Sequence, residues 1–310
     1  KDPVVVEIAK NLNSNVNDID VNVDPNIITF SFFSNYLSLL GIKYVEDPVT
    51  PYKLSKSSSD VIIDTVLYPR NLLKIKSGDC DDLTVMLASL FEAVGIKTVI
   101  MDYPDHITLM FEVKNKDLSK IGAPEDMIIS YNNSYFLPIE VTMISKPVYE
   151  NISYASAFYK TNRDRVNFYD TRAALTVYEP PTLESQSFET VKVTDELVKK
   201  VKDDIEALNK KNFDYYRKYY QNIIDNNPAD ISAKLNLGIL YASNMISDDA
   251  LKIFNQVLES DPKNPSALNN IGNIYYIKGD YQKAIDYYNR SYEIDPYDAN
   301  ILVNISRCYV

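Results

Sequence analysis

Two kinds of hydrophobic pattern divide this chain of 310 residues. Over the first half, apolar stretches with helical spacing are mixed with stretches that alternate. From Thr194 onward the apolar positions recur at helical spacing alone. Mixed periods are typical of an α+β domain and a sustained helical period of an all-α region. The pattern predicts an α+β domain over residues 1–178, a Pro-containing linker over residues 179–193, and an all-α region over residues 194–310.

A small-residue turn at Ser77-Gly78 leads into one amphipathic stretch of the first domain. Its apolar residues recur at helical spacing and are Leu83, Met86, Leu87, Leu90, Phe91 and Val94. Gly95 follows as a helix end, so the pattern predicts a helix that begins at or near Cys80. The N–H groups and dipole at a helix N-terminus favour a thiolate, which is the nucleophilic form of cysteine.

The only histidine, His106, opens an alternating stretch that predicts a strand with the imidazole opposite the apolar face. A second predicted strand, residues 135–142, carries Glu140, and residues 173–178 are predicted as a further strand. A lone cysteine is more often a small buried hydrophobic residue. Here the helix start and the nearby histidine favour a nucleophile, base and acid formed by Cys80, His106 and Glu140.

Residues 68–96, together with Tyr103-Pro-Asp-His106 and residues 136–142, resemble the core of bacterial transglutaminase-like domains. The resemblance covers roughly residues 1 to 175 and implies a papain-like fold with a catalytic triad. Cys80 would be the nucleophile and His106 the base, while Glu140 stands where the family usually has Asp. The chain has no Trp, so Tyr44 is the candidate to replace the tryptophan that helps the oxyanion in animal transglutaminases.

Three acidic residues flank the cysteine, namely Asp79, Asp81 and Asp82. In some bacterial periplasmic transglutaminase-like peptidases such acids hold calcium, and carboxylate oxygens suit that ion. The alternative, which we favour, is that they cap the helix and polarise the site. Calcium is therefore the one metal with candidate ligands, and no other cofactor is expected.

The all-α region repeats every 34 residues, with units starting near residues 197, 231, 265 and 299. The third unit carries the key residues Leu268, Ile271, Gly272, Tyr275, Ala284, Tyr288 and Pro296. The second unit matches it closely, the first is degenerate, and the fourth stops after one helix. This spacing and residue set resemble the tetratricopeptide repeat (TPR), which implies a solenoid that binds a protein or peptide on its concave face.

Asparagine occupies the sixth position of three successive units, as Asn236, Asn270 and Asn304, and Asn273 lies nearby. An amide side chain both donates and accepts hydrogen bonds, so a row of them can pair with an extended peptide backbone. The alternative is that asparagine is simply abundant in this chain.

The net charge of −11 comes with no cluster of Lys and Arg among aromatics, which argues against nucleic-acid binding. No apolar run approaches the length of a transmembrane helix. The chain starts at Lys1 without a methionine, so we expect a fragment whose compartment the sequence leaves open. The family resemblance implies a bacterial protein, from the cell envelope or periplasm or from the cytoplasm.

Two functional hypotheses follow. In the first, the chain is a cysteine-dependent acyl-transfer enzyme, a peptidase or transglutaminase, whose repeats recruit the protein substrate. In the second, the cysteine domain is catalytically silent and the chain is a scaffold that binds peptides or proteins.

Overall fold

The computed structural model describes residues 2–46, 66–178, 181, 183–184 and 192–309. The chain forms two compact units, Lys1–Lys210 and Lys211–Val310. The predicted linker over residues 179–193 lies mostly outside the described residues.

The N-terminal unit combines helices and strands. Its helices are α1 (Pro3–Asn13), α2 (Pro25–Leu39), α3 (Pro69–Ile75), α4 (Cys80–Ala93), α5 (Val148–Asn162) and α6 (Thr171–Val177). Its strands are β1 (Lys43–Tyr44), β2 (Ser77–Gly78), β3 (Thr98–Tyr103), β4 (His106–Glu112), β5 (Ile129–Tyr131), β6 (Ser134–Ile139) and β7 (Asn167–Asp170).

Five of these strands form one antiparallel sheet in the order β5-β6-β4-β3-β7. The short strands β1 and β2 pair in parallel next to the cysteine turn. Helix α4 packs on α1 and β4, and aromatic rings fill the space between them. The ring of Phe91 lies 4.9 Å from that of Phe111 and 5.3 Å from that of Phe33, and Phe30 lies 5.6 Å from Phe111. This buried cluster fixes the helix that starts at Cys80 against the strand that starts at His106.

One strand prediction is wrong. Residues 173–178 were expected to be extended, but Thr171–Val177 forms a short helix, and the strand lies just before it at Asn167–Asp170. The Asp170 carboxylate accepts hydrogen bonds from the backbone N–H groups of Arg172 and Ala173, which starts a helix at that point. In the sequence this cap is marked only by Asp170 before Thr171 and Arg172, and the strand prediction gave no weight to that signal.

The C-terminal unit is helical. After the long helix α7 (Asp195–Asn226), which both units share, come α8 (Ile231–Ser243), α9 (Ser247–Ser260), α10 (Pro265–Ile277), α11 (Tyr281–Ile294) and α12 (Ala299–Arg307). Helix α8 packs on α9, α10 on α11, and each pair packs on the next helix. Among the helices of the described residues, none is long and apolar enough to cross a membrane.

The first predicted repeat, which starts near residue 197, differs from the other units. It forms the single helix α7 of 32 residues instead of two paired helices. No Gly or Pro interrupts this stretch, so nothing in it breaks the helix. Its first apolar residues, Leu197, Val201, Ile205 and Leu208, belong to the core of the N-terminal unit.

The first helices of the following units start at Ile231, Pro265 and Ala299. The helix caps Asp230, Asn264 and Asp298 recur every 34 residues and each accepts a hydrogen bond from the following helix. Close packing inside each pair depends on glycine. A Cβ added at Gly238 would lie 2.5 Å from the ring of Phe254, and one added at Gly272 would lie 2.5 Å from the ring of Tyr288.

Candidate functional site

The cysteine turn is held tightly by its neighbours. Asp79 caps α4 by accepting the N–H groups of Asp81 and Asp82, and the Asp82 carboxylate reaches back to the N–H of Asp79. A Cβ added at Gly78 would lie 2.7 Å from the Cβ of Asp82, so only glycine fits beside this capping box. These contacts place Cys80 in the first turn of α4, as the sequence predicts.

Two carboxylates at this turn, those of Asp79 and Asp82, form the helix cap. Asp82 also accepts the backbone N–H of Leu67 at 2.6 Å. Within the described part of the chain, no group of three or more His, Cys, Asp and Glu side chains is arranged to hold a metal ion. Asp79 and Asp82 thus cap the helix, Asp81 contacts the Cys80 sulfur, and the calcium interpretation gains no support from their geometry.

The charge state of Cys80 differs from the expectation. Burial, together with the charge of Asp81, raises the pKa of the Cys80 thiol from 9.0 to about 12, against the opposing hydrogen bond from the backbone N–H of Ile107. Asp81 also lies 3.5 Å from the sulfur, and the charge of Asp79 adds to the effect. The helix N-terminus was expected to favour a thiolate, but burial and two carboxylates favour the neutral thiol.

His106 and Glu140 form a close hydrogen-bonded pair. The Nε2 atom of His106 lies 2.9 Å from Oε2 of Glu140, whose side chain is 2% exposed. Burial opposes ionisation of Glu140, but hydrogen bonds from His106 and Thr142 outweigh it and lower the pKa of the carboxyl. Among the described residues, the Cys80 sulfur bonds to Asp81 and to the N–H of Ile107, not to the imidazole. His106 and Glu140 are thus in direct contact. The Cys80 sulfur lies at the backbone of Ile107, the residue after His106.

Four residues that the sequence did not reveal support this pair. Phe158 of α5 packs edge-on against the imidazole with ring centroids 5.6 Å apart, and Tyr103 lies parallel to it at 6.4 Å. Thr142 donates to Glu140 from its hydroxyl and its backbone N–H, and Asn151 bonds to the Glu140 backbone. Tyr103 and Thr142 are close in sequence to the residues that they contact, whereas Phe158 and Asn151 come from α5, and no local pattern marks their roles.

Tyr44 lies beside the cysteine turn. Strand β1 pairs Tyr44 with Gly78 of β2. Burial raises the pKa of the Tyr44 hydroxyl, and the charges of Cys80, Glu46, Asp79 and Glu140 raise it further.

The second predicted site lies in the C-terminal unit. Helices α8, α10 and α12, together with Tyr288 of α11, line an open depression of about 460 Å³, which we call the repeat depression. Its polar lining includes Asn270, Asn273, Asn304, Tyr276, Tyr288 and Arg307. Asn236, the remaining predicted asparagine, is exposed and is not among the lining residues.

The asparagines of the repeat depression differ in what they bond. Asn304 donates to the side-chain oxygens of Asn269 and Asn273, and Asn273 also accepts from the hydroxyl of Tyr288. Asn270 donates only to the carbonyl of Ser266 in its own helix. The lining asparagines are thus not equivalent, because Asn304 and Asn273 belong to a small network with Asn269, whereas Asn270 lies outside it. Of the asparagines that line the depression, Asn270 is the one most available to a ligand.

A larger cleft of about 710 Å³ lies at the other end of β4 from His106. It is bounded by the end of α4, the β5–β6 turn and the residues after β4, and its charged lining residues are Glu112, Lys114 and Lys116. It contains none of the predicted site residues.

Comparison with known families gives one match. A tetratricopeptide repeat model matches residues 247–299, which run from α9 to the start of α12. No curated protein matches the chain. The match supports the repeat prediction for this part of the C-terminal unit and indicates protein–protein interaction.

Proposed function

We propose that this chain is a protein-binding scaffold whose C-terminal unit holds an extended segment of a partner protein in the repeat depression. The observation that carries the proposal is the tetratricopeptide match over residues 247–299, together with the depression that α10 of this segment lines with the neighbouring helices α8 and α12. Stacked helical repeats present extended surfaces that commonly bind other proteins. This argument rests on the fold, so the site itself must supply the specificity.

The chemistry of the repeat depression favours a peptide backbone with an acidic group. Amide side chains can donate to backbone carbonyls and accept from backbone N–H groups. Arg307 is the cation of the depression, and it forms no ion pair with another described residue. The lining contains no carboxylate among the described residues. A carboxylate of the partner would therefore meet a guanidinium without a competing anion in this otherwise acidic chain.

Asn270→Ala tests this proposal, with Asn236→Ala as the matched control. A peptide selected from a displayed random library on the full chain would be titrated by calorimetry against both variants. Asn270→Ala should weaken binding by roughly 1 kcal/mol or more, because a hydrogen bond to the ligand is lost. Asn236→Ala should leave the affinity unchanged. Equal affinities for wild type and Asn270→Ala would remove the repeat depression as the binding site.

A second candidate function, cysteine-dependent acyl transfer in a papain-like, transglutaminase-like domain, is favoured by the His106–Glu140 pair. Cys80 would attack a carboxamide or peptide carbonyl while His106 takes the thiol proton, and the tetrahedral intermediate would collapse to a thioester as His106 protonates the departing amine. Water or a second amine would then release the acyl group. The raised pKa of Cys80 makes this proton transfer essential, since little thiolate exists at neutral pH.

His106→Ala separates the two candidates. If the imidazole takes the thiol proton, alkylation of Cys80 by iodoacetamide near neutral pH should fall by at least about tenfold in the variant, in line with typical general-base effects. Cys308 in the same sample is the control, and mass spectrometry resolves the two sites. Equal Cys80 rates in both proteins would leave the scaffold proposal alone.

A further inference from the structure

Helix α5 reaches the acid of the candidate site through one buried side chain. Asn151 is 1% exposed and lies in the first turns of this helix. Its Oδ1 accepts the backbone N–H of Glu140 at 2.9 Å, and its Nδ2 donates to the carbonyl of Glu140 at 2.8 Å and to that of Met143 at 3.1 Å. One amide side chain thus satisfies both backbone groups of Glu140.

The position of Glu140 explains why this clamp matters. Strand β6 ends at Ile139, and a short 3-10 turn, Val141–Met143, begins directly after Glu140. The backbone of Glu140 therefore leaves the sheet and has no ladder partner of its own. Its carbonyl accepts the backbone N–H of Met143 at 3.1 Å as well as the Asn151 amide. Without Asn151, the N–H of Glu140 would be buried without a hydrogen bond, which is costly.

The backbone clamp determines where the carboxylate points. With the backbone fixed by Asn151, the Glu140 carboxylate accepts two bonds from Thr142 on Oε1 and the imidazole of His106 on Oε2. The same helix also presses Phe158 against the imidazole ring. Helix α5 therefore contacts both members of the pair, the acid through its backbone and the base through its ring face.

From these contacts we infer that Asn151 is a positioning residue, which holds the Glu140 carboxylate on Nε2 of His106. It touches neither the cysteine nor a substrate and acts only through Glu140. The inference deepens the second candidate function, acyl transfer by Cys80, because in that reaction the acid must hold the imidazole in one tautomer. The claim that Asn151 fixes the position of the Glu140 carboxylate concerns only the His106–Glu140 pair and does not depend on the reaction of Cys80.

The single histidine makes the test direct, because nitrogen-edited NMR gives one set of imidazole signals for the whole chain. In the wild type we expect one tautomer, with the proton on Nε2 and slow exchange of that proton with water. In Asn151→Ala the exchange should become roughly fivefold faster or more, the effect of losing about one hydrogen bond's worth of restraint.

Ser156→Ala is the matched control. Ser156 lies on the same helix, is buried, and donates to the carbonyl of Met127, away from Glu140. It should lose the stability of its one buried hydrogen bond while keeping the wild-type imidazole signals. Asn151→Asp is a second variant that keeps the shape and the Oδ1 acceptor but loses the Nδ2 donor, and it should show the same faster exchange.

The outcomes separate the inference from the reaction. Wild-type imidazole signals in a folded Asn151→Ala or Asn151→Asp protein, or equal disturbance by Ser156→Ala, would overturn the positioning role. Faster exchange confined to the Asn151 variants supports it, even if the His106→Ala experiment shows no general-base assistance for Cys80. In that case the acyl-transfer candidate fails while the positioning of the pair stands.

Discussion

The two units hold their candidate sites in opposite ways. In the N-terminal unit, Cys80, His106 and Glu140 come from a helix start, a strand start and a strand end, and buried hydrogen bonds and charges hold them. In the C-terminal unit, the side chains of the repeat depression come from equivalent helices stacked by close apolar packing, and their polar groups face an open surface. The buried contacts of the N-terminal unit shift the pKa values of a few side chains, whereas the open surface of the C-terminal unit can accommodate a peptide.

The comparison predicts that the N-terminal unit depends on its aromatic cluster more than the C-terminal unit depends on any one contact. Phe91 is fully buried and contacts the rings of Phe30, Phe33 and Phe111. Phe91→Ala should lower the free energy of unfolding of this unit by about 3–5 kcal/mol, because a large cavity replaces the ring.

Hydrogen exchange followed by mass spectrometry would measure this loss peptide by peptide. Peptides from α4 and β4 should lose protection most strongly in Phe91→Ala. Ser89→Ala, in the same helix but half-buried, is the control and should change protection little. Unchanged protection of β4 in Phe91→Ala would contradict the idea that this cluster fixes α4 against the strand of His106.

In the C-terminal unit we expect the largest loss of stability from substitutions at the contacts between paired helices. Gly272→Ala would place a methyl group 2.5 Å from the ring of Tyr288 and should cost about 1–3 kcal/mol, although alanine is the better helix former. Urea titration followed by hydrogen exchange of α10 and α11 measures the free energy of unfolding. Ser266→Ala, on the exposed side of the same helix, should be neutral or slightly stabilising. A Gly272→Ala protein as stable as wild type would mean that the helix pair is loosely packed.

The same contrast explains how far the sequence predicted the structure. Gly238, Gly272 and the caps at Asp230, Asn264 and Asp298 lie at fixed spacing, so a local repeat predicts their roles. The start of α4 at Cys80 was also predictable, because turn, acid and apolar period are contiguous.

The rest depended on contacts between distant residues. The support that Asn151 gives Glu140 has no local signature, since a buried asparagine looks like any other in the sequence. The charge state of Cys80 was missed because burial is not visible in the sequence and outweighs the helix N-terminus. The first repeat was predicted as a helix pair because isolated residues matched, whereas the unbroken helix α7 reflects the absence of a breaker. These features therefore depend on the tertiary environment, and a local sequence pattern does not predict them.

The smallest predicted effect tests the charges around the thiol. Since the pKa of Cys80 is raised to about 12, the thiolate fraction and the alkylation rate should rise with pH from neutral towards that value. Asp81 is the largest charge that raises it, so Asp81→Asn should lower the pKa and speed alkylation at pH 8 by up to about tenfold, the effect of one pKa unit. Burial remains in the variant, so the thiol should still ionise less readily than a free cysteine. Iodoacetamide labelling resolved by mass spectrometry measures both cysteines in one sample, and Cys308, whose pKa burial alone raises, should label at the wild-type rate. If the labelling rate of wild-type Cys80 instead levels off near neutral pH, an internal base takes the proton of the thiol. The N-terminal unit would then hold a reactive thiol site, and the contrast between a neutral buried thiol and an open peptide-binding surface would be wrong.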